Sequence, residues 1–168
     1  NQIALSKSEI IKNTKTEGYL VLNADDSFFK LHKNLALKNK LKVITFGIKN
    51  FKSDIKMKSI KKKSENYQIE IKNNDQKKYF TISNNFQNNI YNVLASLAVI
   101  SIFKDIFKLK KNIFLNFKVP AGRGDISRIK INKKTLNLID ESYNSNPLSL
   151  KSAILNYDKI KKNNSKKY

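Results

Sequence analysis

Two short segments hold most of the residues able to do chemistry. Pro120-Ala121-Gly122-Arg123-Gly124 sets a permanently charged guanidinium between two glycines. Its planar fork of N–H donors suits phosphate, and the glycines let the backbone approach a ligand closely. About twenty residues further on, Asp140-Glu141-Ser142-Tyr143-Asn144-Ser145-Asn146-Pro147 brings an acid pair and a tyrosine to the start of a predicted helix. Asn146 as N-cap and Pro147 at the first helical position explain the end of that segment. They leave Asp140, Glu141 and Tyr143 unexplained. A surface turn and a capped polar loop are the plain alternatives for each segment alone; together the two are more specific.

Three further residues stand out by spacing. Ile3, Lys7, Ile10 and Ile11 fall at i, i+4, i+7 and i+8, which predicts one helical face with a lysine on its apolar stripe. Such a lysine ordinarily snorkels, yet partial desolvation also makes its amine easier to deprotonate. Asn89 and Asn92, three apart, share a face at the start of a helix predicted over 88–104. Capping is their ordinary role. Asp25 and Asp26 read as strand-end and turn residues, and His32 as a surface or packing residue.

The elements that must hold these residues follow from periodicity. Tyr19–Leu22 and Lys42–Phe46 are short apolar runs, as in buried parallel strands. Between residues 54 and 82 the pattern alternates with period two, predicting an antiparallel annex with one wet face and a solvated lysine tip at 61–63. The helix over 88–104 is apolar nearly all round from Val93 to Phe103, which predicts burial. Ile126–Ile131 and Thr135–Ile139 read as two strands about a turn at Asn132-Lys133. Leu150, Ala153, Ile154 and Tyr157 should form the inner face of the last helix.

Composition sets outer limits. A chain of 168 residues, 40% of them hydrophobic, is long enough for a core. It has no cysteine and one histidine, which excludes disulfides, thiolate metal sites and sites needing two imidazoles. No apolar run has the length of a membrane span, so membrane insertion is not expected. The first residue is not methionine, so a piece of a longer protein is expected. The formal net charge is +21, which raises a nucleic-acid partner as an alternative. Only two of the cations are arginine, and Lys, Asn, Ile, Phe and Tyr all have A/T-rich codons, so drift in base composition explains the charge and no nucleic-acid partner is expected. Drift of that kind erodes Gly, Ala, Pro and Arg, which sets residues 120–124 apart.

The segment 140–147 resembles the Asp-Asp-Ser-Tyr-Asn-Ala-Asn-Pro signature of the Mur ligase family, with Glu141 and Ser145 as departures. Gly122-Arg123 resembles the Gly-Arg motif that precedes it. Upstream, Ile3-Ala4-Leu5-Ser6-Lys7-Ser8-Glu9-Ile10 is similar to the family's Ile-Ala-x-Ala-Lys-x-Glu-Ile helix, and Leu22-Asn23-Ala24-Asp25-Asp26 to its Leu-Asn-Ala-Asp-Asp strand end. Residues 88–96 are similar to its His-Asn-x-x-Asn-x-Leu-Ala-Ala helix, with Asn88 in place of the histidine.

The resemblance implies an α/β fold in two parts. Residues 1–119 would be the C-terminal part of a mainly parallel-sheet ATP-binding domain with an antiparallel annex. Residues 120–168 would be the hinge and the beginning of a Rossmann-like C-terminal domain. It implies a cytoplasmic, monomeric ATP- and magnesium-dependent ligase of cell-wall synthesis, in the branch that joins D-alanyl-D-alanine to UDP-N-acetylmuramoyl-tripeptide through an acyl phosphate. By the same resemblance Lys7 would be carbamylated and ligate magnesium, and Asn89 and Asn92 would meet adenine. Arg123 would meet the ATP phosphates; Asp140 and Glu141 would lie at the nucleotide, and Tyr143 at the reaction centre. No Gly-x-x-x-x-Gly-Lys-Ser/Thr loop occurs in the chain, so the phosphate loop and the N-terminal substrate domain are expected before Asn1. A non-catalytic relative is the remaining alternative.

Overall fold

The computed structural model describes residues 2–50, 52–73, 75–83, 89–117, 120–132, 134–143 and 147–159. The chain divides into two compact units, Asn1–Phe117 and Lys118–Tyr168.

In the first unit, helices α1 (Gln2–Lys7) and α2 (Glu9–Lys12) precede β1 (Tyr19–Asn23), α3 (Phe29–Lys38) and β2 (Lys42–Gly47). β1 and β2 are parallel from Tyr19↔Lys42 to Asn23↔Phe46, with α3 as the crossover. β3 (Ile55–Lys63) joins β2 in parallel only at Phe46↔Ile55 and Gly47↔Lys56. From there it runs antiparallel to β4 (Asn66–Asn73), which pairs antiparallel with β5 (Gln76–Ser83). The parallel part and the annex are thus one five-stranded sheet in the order β1-β2-β3-β4-β5, with β3 common to both. The fold is mixed α/β, as the sequence predicts.

Alternation along the strands sorts the annex residues. Ile55, Ile69, Ile71, Phe80 and Ile82 are fully buried, while Lys58, Lys61, Lys62 and Lys63 are exposed. The Phe80 ring meets the edge of Phe114 at 5.7 Å, and residues 111–114 run beside β5 through the Thr81 N–Lys111 O bond of 2.8 Å. Under β1 and β2, buried Ile11, Ala36 and Leu41 gather Leu20, Leu35 and Val43. α4 (Ile90–Ser101) lies along β1, β2 and β3.

Two expectations about faces fail. At the N-terminus the buried residues are Ala4, Ser8 and Ile11, and Ile3, Lys7 and Ile10 are exposed. Both sets have i, i+4, i+7 spacing, and the small side chains win. They allow close approach, and burying Ser8 costs little because its hydroxyl donates to Ala4 O at 2.7 Å. α4 is also not covered all round. Ile90, Val93, Leu94, Leu97 and Ala98 take its buried side, an i, i+3, i+4, i+7, i+8 stripe. Val99 remains 46% exposed, and Phe103, past the helix end, 78%.

In the second unit, β6 (Asp125–Ile131) and β7 (Lys134–Asp140) form an antiparallel hairpin, followed by α5 (Pro147–Lys159). Pro147 opens α5 as expected; Asn146 lies outside the described residues. Of the predicted inner face, Ala153 and Tyr157 are half-buried but Leu150 and Ile154 are exposed. One hairpin and one helix offer too little surface to bury an apolar stripe fully.

Candidate functional site

The two sequence motifs of the second unit meet. Pairing of Asp125 with Asp140 puts the segment entering β6 beside the segment leaving β7. Gly124 N donates to Asp140 O at 2.6 Å, and Tyr143 N donates to Gly122 O at 3.0 Å. Gly122 N donates to Asp125 Oδ1 at 2.6 Å. Gly122 and Gly124 have φ of 74° and 88°, a region costly for residues with a Cβ. At Gly122 space demands glycine as well, because a Cβ would lie 2.9 Å from both Tyr143 Cβ and Tyr143 N. At Gly124 it would meet only the movable end of the Glu141 side chain at 3.0 Å, so the demand there is one of φ.

Arg123, held between these glycines, places its Cζ 4.3 Å from the centroid of the Tyr143 ring. Both residues are exposed, so the ring is a shelf for the guanidinium at the surface. The Ser142 hydroxyl and amide hold the Asp140 carboxyl below its ordinary range, with Ser142 N donating to Asp140 Oδ1 at 2.9 Å. Arg123, Asp140, Glu141 and Tyr143, picked out separately in the sequence, therefore share one end of the hairpin.

In the first unit, Asn89 is the residue before α4 and Asn92 lies in its first turn. Asn92 Nδ2 donates to Asn89 Oδ1 at 3.0 Å, and Asn89 makes no side-chain cap bond to the helix. With that orientation the pair turns its other atoms, an Asn89 donor and an Asn92 acceptor, to whatever lies beyond. Asn88 is outside the described residues.

Between the two asparagines stands a residue that sequence reasoning missed. The Tyr91 hydroxyl donates to Asp25 Oδ2 at 3.0 Å. The same carboxylate accepts from the amides of Ile48 at 2.6 Å, Lys49 at 3.0 Å and Asn50 at 2.7 Å. Burial would raise the Asp25 carboxyl, but the three amides and the tyrosine outweigh it and hold it below its ordinary range. Burial and the neighbouring carboxylate push the Tyr91 hydroxyl up. Asp26 Oδ1 accepts from Phe28 N at 2.7 Å, so both acids shape turns, as expected. His32 packs: its Nε2 lies 3.3 Å from Ala4 O.

Lys7 is the last residue of α1 and is exposed, so the desolvation expected from an apolar stripe is absent. Among the described residues no three His, Cys, Asp or Glu side chains gather as a metal site would require. Carbamylation and magnesium binding at Lys7 thus rest on the sequence resemblance alone.

Residues 1–100, more than half of the chain, match the Mur ligase middle domain, and the chain belongs to the Mur ligase family. No curated protein sequence matches it. Among solved structures it is similar to the UDP-N-acetylmuramoylalanyl-D-glutamyl-2,6-diaminopimelate–D-alanyl-D-alanyl ligase of Acinetobacter baumannii. There the TM-score is 0.69 at 17% identity, over 95% of this chain and 34% of that one. It is similar to the MurF ligase of Thermotoga maritima in complex with ADP, with a TM-score of 0.69 at 22% identity, over 92% of this chain and 34% of that one. It is also similar to a UDP-N-acetylmuramoyl-L-alanyl-D-glutamate–2,6-diaminopimelate ligase, with a TM-score of 0.65 at 15% identity, over 92% of this chain and 31% of that one. The likeness is one of fold, and the chain spans about a third of the length of each.

Proposed function

We propose that the protein is an ATP-dependent ligase of peptidoglycan synthesis that joins D-alanyl-D-alanine to UDP-N-acetylmuramoyl-tripeptide. The observation that carries this reading is the junction of Gly122-Arg123-Gly124 with Asp140, Glu141 and Tyr143, in a chain of the Mur ligase family. The fold does not choose between branches, because the diaminopimelate ligase matches nearly as well. The wording of residues 140–147 favours the D-alanyl-D-alanine branch.

In this reading residues 1–119 are the C-terminal part of the ATP-binding domain, and residues 120–168 the hinge and the start of the C-terminal domain. The substrate carboxylate attacks the γ-phosphorus of ATP, giving an acyl phosphate and ADP. The amine of D-alanyl-D-alanine then attacks the acyl carbon, forming the amide and expelling phosphate. Phosphoryl transfer of this kind depends on positioning and on cations around the developing charge. Arg123 supplies one such cation, and the Tyr143 shelf restricts where it points. Asp140 and Glu141 border the nucleotide.

Asn89 and Asn92 are fitted to adenine by the atoms their mutual hydrogen bond leaves over. A donor beside an acceptor matches the N7 acceptor and N6 amino group of adenine, whereas guanine offers two acceptors on that edge. ATP should therefore be preferred to GTP. Magnesium and a carbamylated Lys7 are implied by the resemblance alone. The reaction places the protein in the cytoplasm.

The test is phosphate release by the full-length product of this reading frame. Release should require ATP, UDP-N-acetylmuramoyl-tripeptide and D-alanyl-D-alanine together. Release supported by diaminopimelate and the dipeptide precursor instead would move the protein to the neighbouring branch.

A further inference from the structure

The first turn of α4 has no side-chain cap of its own, although Asn89 stands at the capping position. The Tyr91 hydroxyl ties this turn to the sheet through Asp25. Asp25 is itself fixed. It follows β1, its amide takes a bond to Asn23 Oδ1 at 3.0 Å, and its oxygens take the three successive amides that follow β2. Gly47 permits that approach, since a Cβ there would lie 3.1 and 3.2 Å from the two Asp25 oxygens. Asp25 thus links the ends of β1 and β2, and Tyr91 extends the link to the helix turn that carries Asn89 and Asn92.

We infer that Asp25 and Tyr91 are positioning residues for nucleobase recognition: the Tyr91–Asp25 bond sets the orientation of the Asn89–Asn92 pair against the adenine edge. Two amides read a base only if donor and acceptor are held at hydrogen-bond distance together, and the net gain of each bond falls quickly with misalignment. Tyr91 lies between the two asparagines in sequence and turns its hydroxyl to a carboxylate with three other donors. Loss of that one hydroxyl removes the turn's hydrogen bond to Asp25 and leaves the base-reading amides themselves in place. This inference rests on the reading of Asn89 and Asn92 as adenine ligands.

The decisive variant is Tyr91→Phe, which removes one oxygen from a side chain at the surface. It is assayed in the full-length protein beside Tyr79→Phe, the same change at an exposed tyrosine of β5. ATP and GTP binding are measured by isothermal titration, with KM and kcat for ATP measured alongside and thermal unfolding as a check on folding. Tyr91→Phe is expected to raise Kd and KM for ATP about 5- to 10-fold, the order of one hydrogen bond. It should narrow the ATP-over-GTP preference, change kcat less than twofold and leave the unfolding temperature near that of Tyr79→Phe. Asp25→Asn, which removes the charge and sets an amide NH2 against a backbone N–H donor, should weaken ATP binding at least as much as Tyr91→Phe. Wild-type affinity and base preference in Tyr91→Phe would overturn the inference while leaving the adenine reading intact. Failure of the wild-type protein to bind ATP would overturn both.

Discussion

Asp25 carries more of the first unit than its position in a turn suggests. A carboxylate accepting from three amides and a hydroxyl has its folded-state pKa depressed. Its stabilising effect is therefore complete above the unfolded value, about 3.9, and is lost as pH falls through the lower folded value. The urea midpoint of the wild-type protein should drop between pH 5 and pH 3, and Asp25→Asn should show a smaller drop over that interval. Asp25→Ala should cost about 1–3 kcal/mol at pH 7, the order expected when backbone donors lose a charged acceptor.

Arg123 is predicted to matter as a fork on a shelf and not merely as a positive charge. Arg123→Lys keeps the charge but loses the planar donors and most of the stacking. In the ligase assay kcat should fall on the order of 100-fold, as when one transition-state donor is removed. Gly122→Ala should damage the same function by a different route, because its φ of 74° and the 2.9 Å approach to Tyr143 Cβ leave no room for a methyl. Tyr143 would have to move, and near-wild-type turnover in Gly122→Ala would contradict the junction of Gly122 with Tyr143. Tyr91 was not legible in the sequence: its partner is 66 residues away, and nothing local distinguishes it from a surface tyrosine.

At the scale of elements, periodicity was a sound guide wherever strands alternate. The wet face of the annex, its lysine tip and the hairpin about Asn132 all follow from period two. Helix faces were harder, for a physical reason. In α1 and α2 two stripes share the same spacing, and the two large isoleucines Ile3 and Ile10 draw the eye from Ala4 and Ser8, which pack with Ile11, the one residue of the expected face that is buried. Small residues lose little area on burial but allow close contact, a property that hydropathy does not record. The core of the annex offers an element-scale test. Phe80 is fully buried between Ile69 on β4 and the Phe114 edge, and Phe80→Ala should cost about 3–5 kcal/mol in equilibrium unfolding.

For the whole molecule, the loudest number in the sequence, a net charge of +21, says least about function. Lysines of the annex stand across from one another at Lys56↔Lys72 and Lys72↔Lys77, a repulsion that the Lys72–Asp75 and Lys77–Glu70 ion pairs at 3.8 and 3.9 Å offset in part. If the charge served nucleic acid, binding would be tight and steeply salt-dependent. The ligase reading predicts negligible DNA or RNA binding at physiological salt by fluorescence anisotropy. Family membership was legible because its motifs are short, ordered and chemically odd. The candidate residues stood out for the same reason, but their arrangement did not. No spacing rule reveals that Arg123 lies on Tyr143 or that Asn89 and Asn92 bond each other.

The most direct test of the central claim is ATP-dependent phosphate release by the full-length protein with UDP-N-acetylmuramoyl-tripeptide, in the presence and absence of D-alanyl-D-alanine. Phosphate and UDP-N-acetylmuramoyl-pentapeptide should form in equal amounts with the dipeptide, with little turnover without it. ATP hydrolysis indifferent to D-alanyl-D-alanine, or no hydrolysis by a protein that is folded and intact, would contradict it.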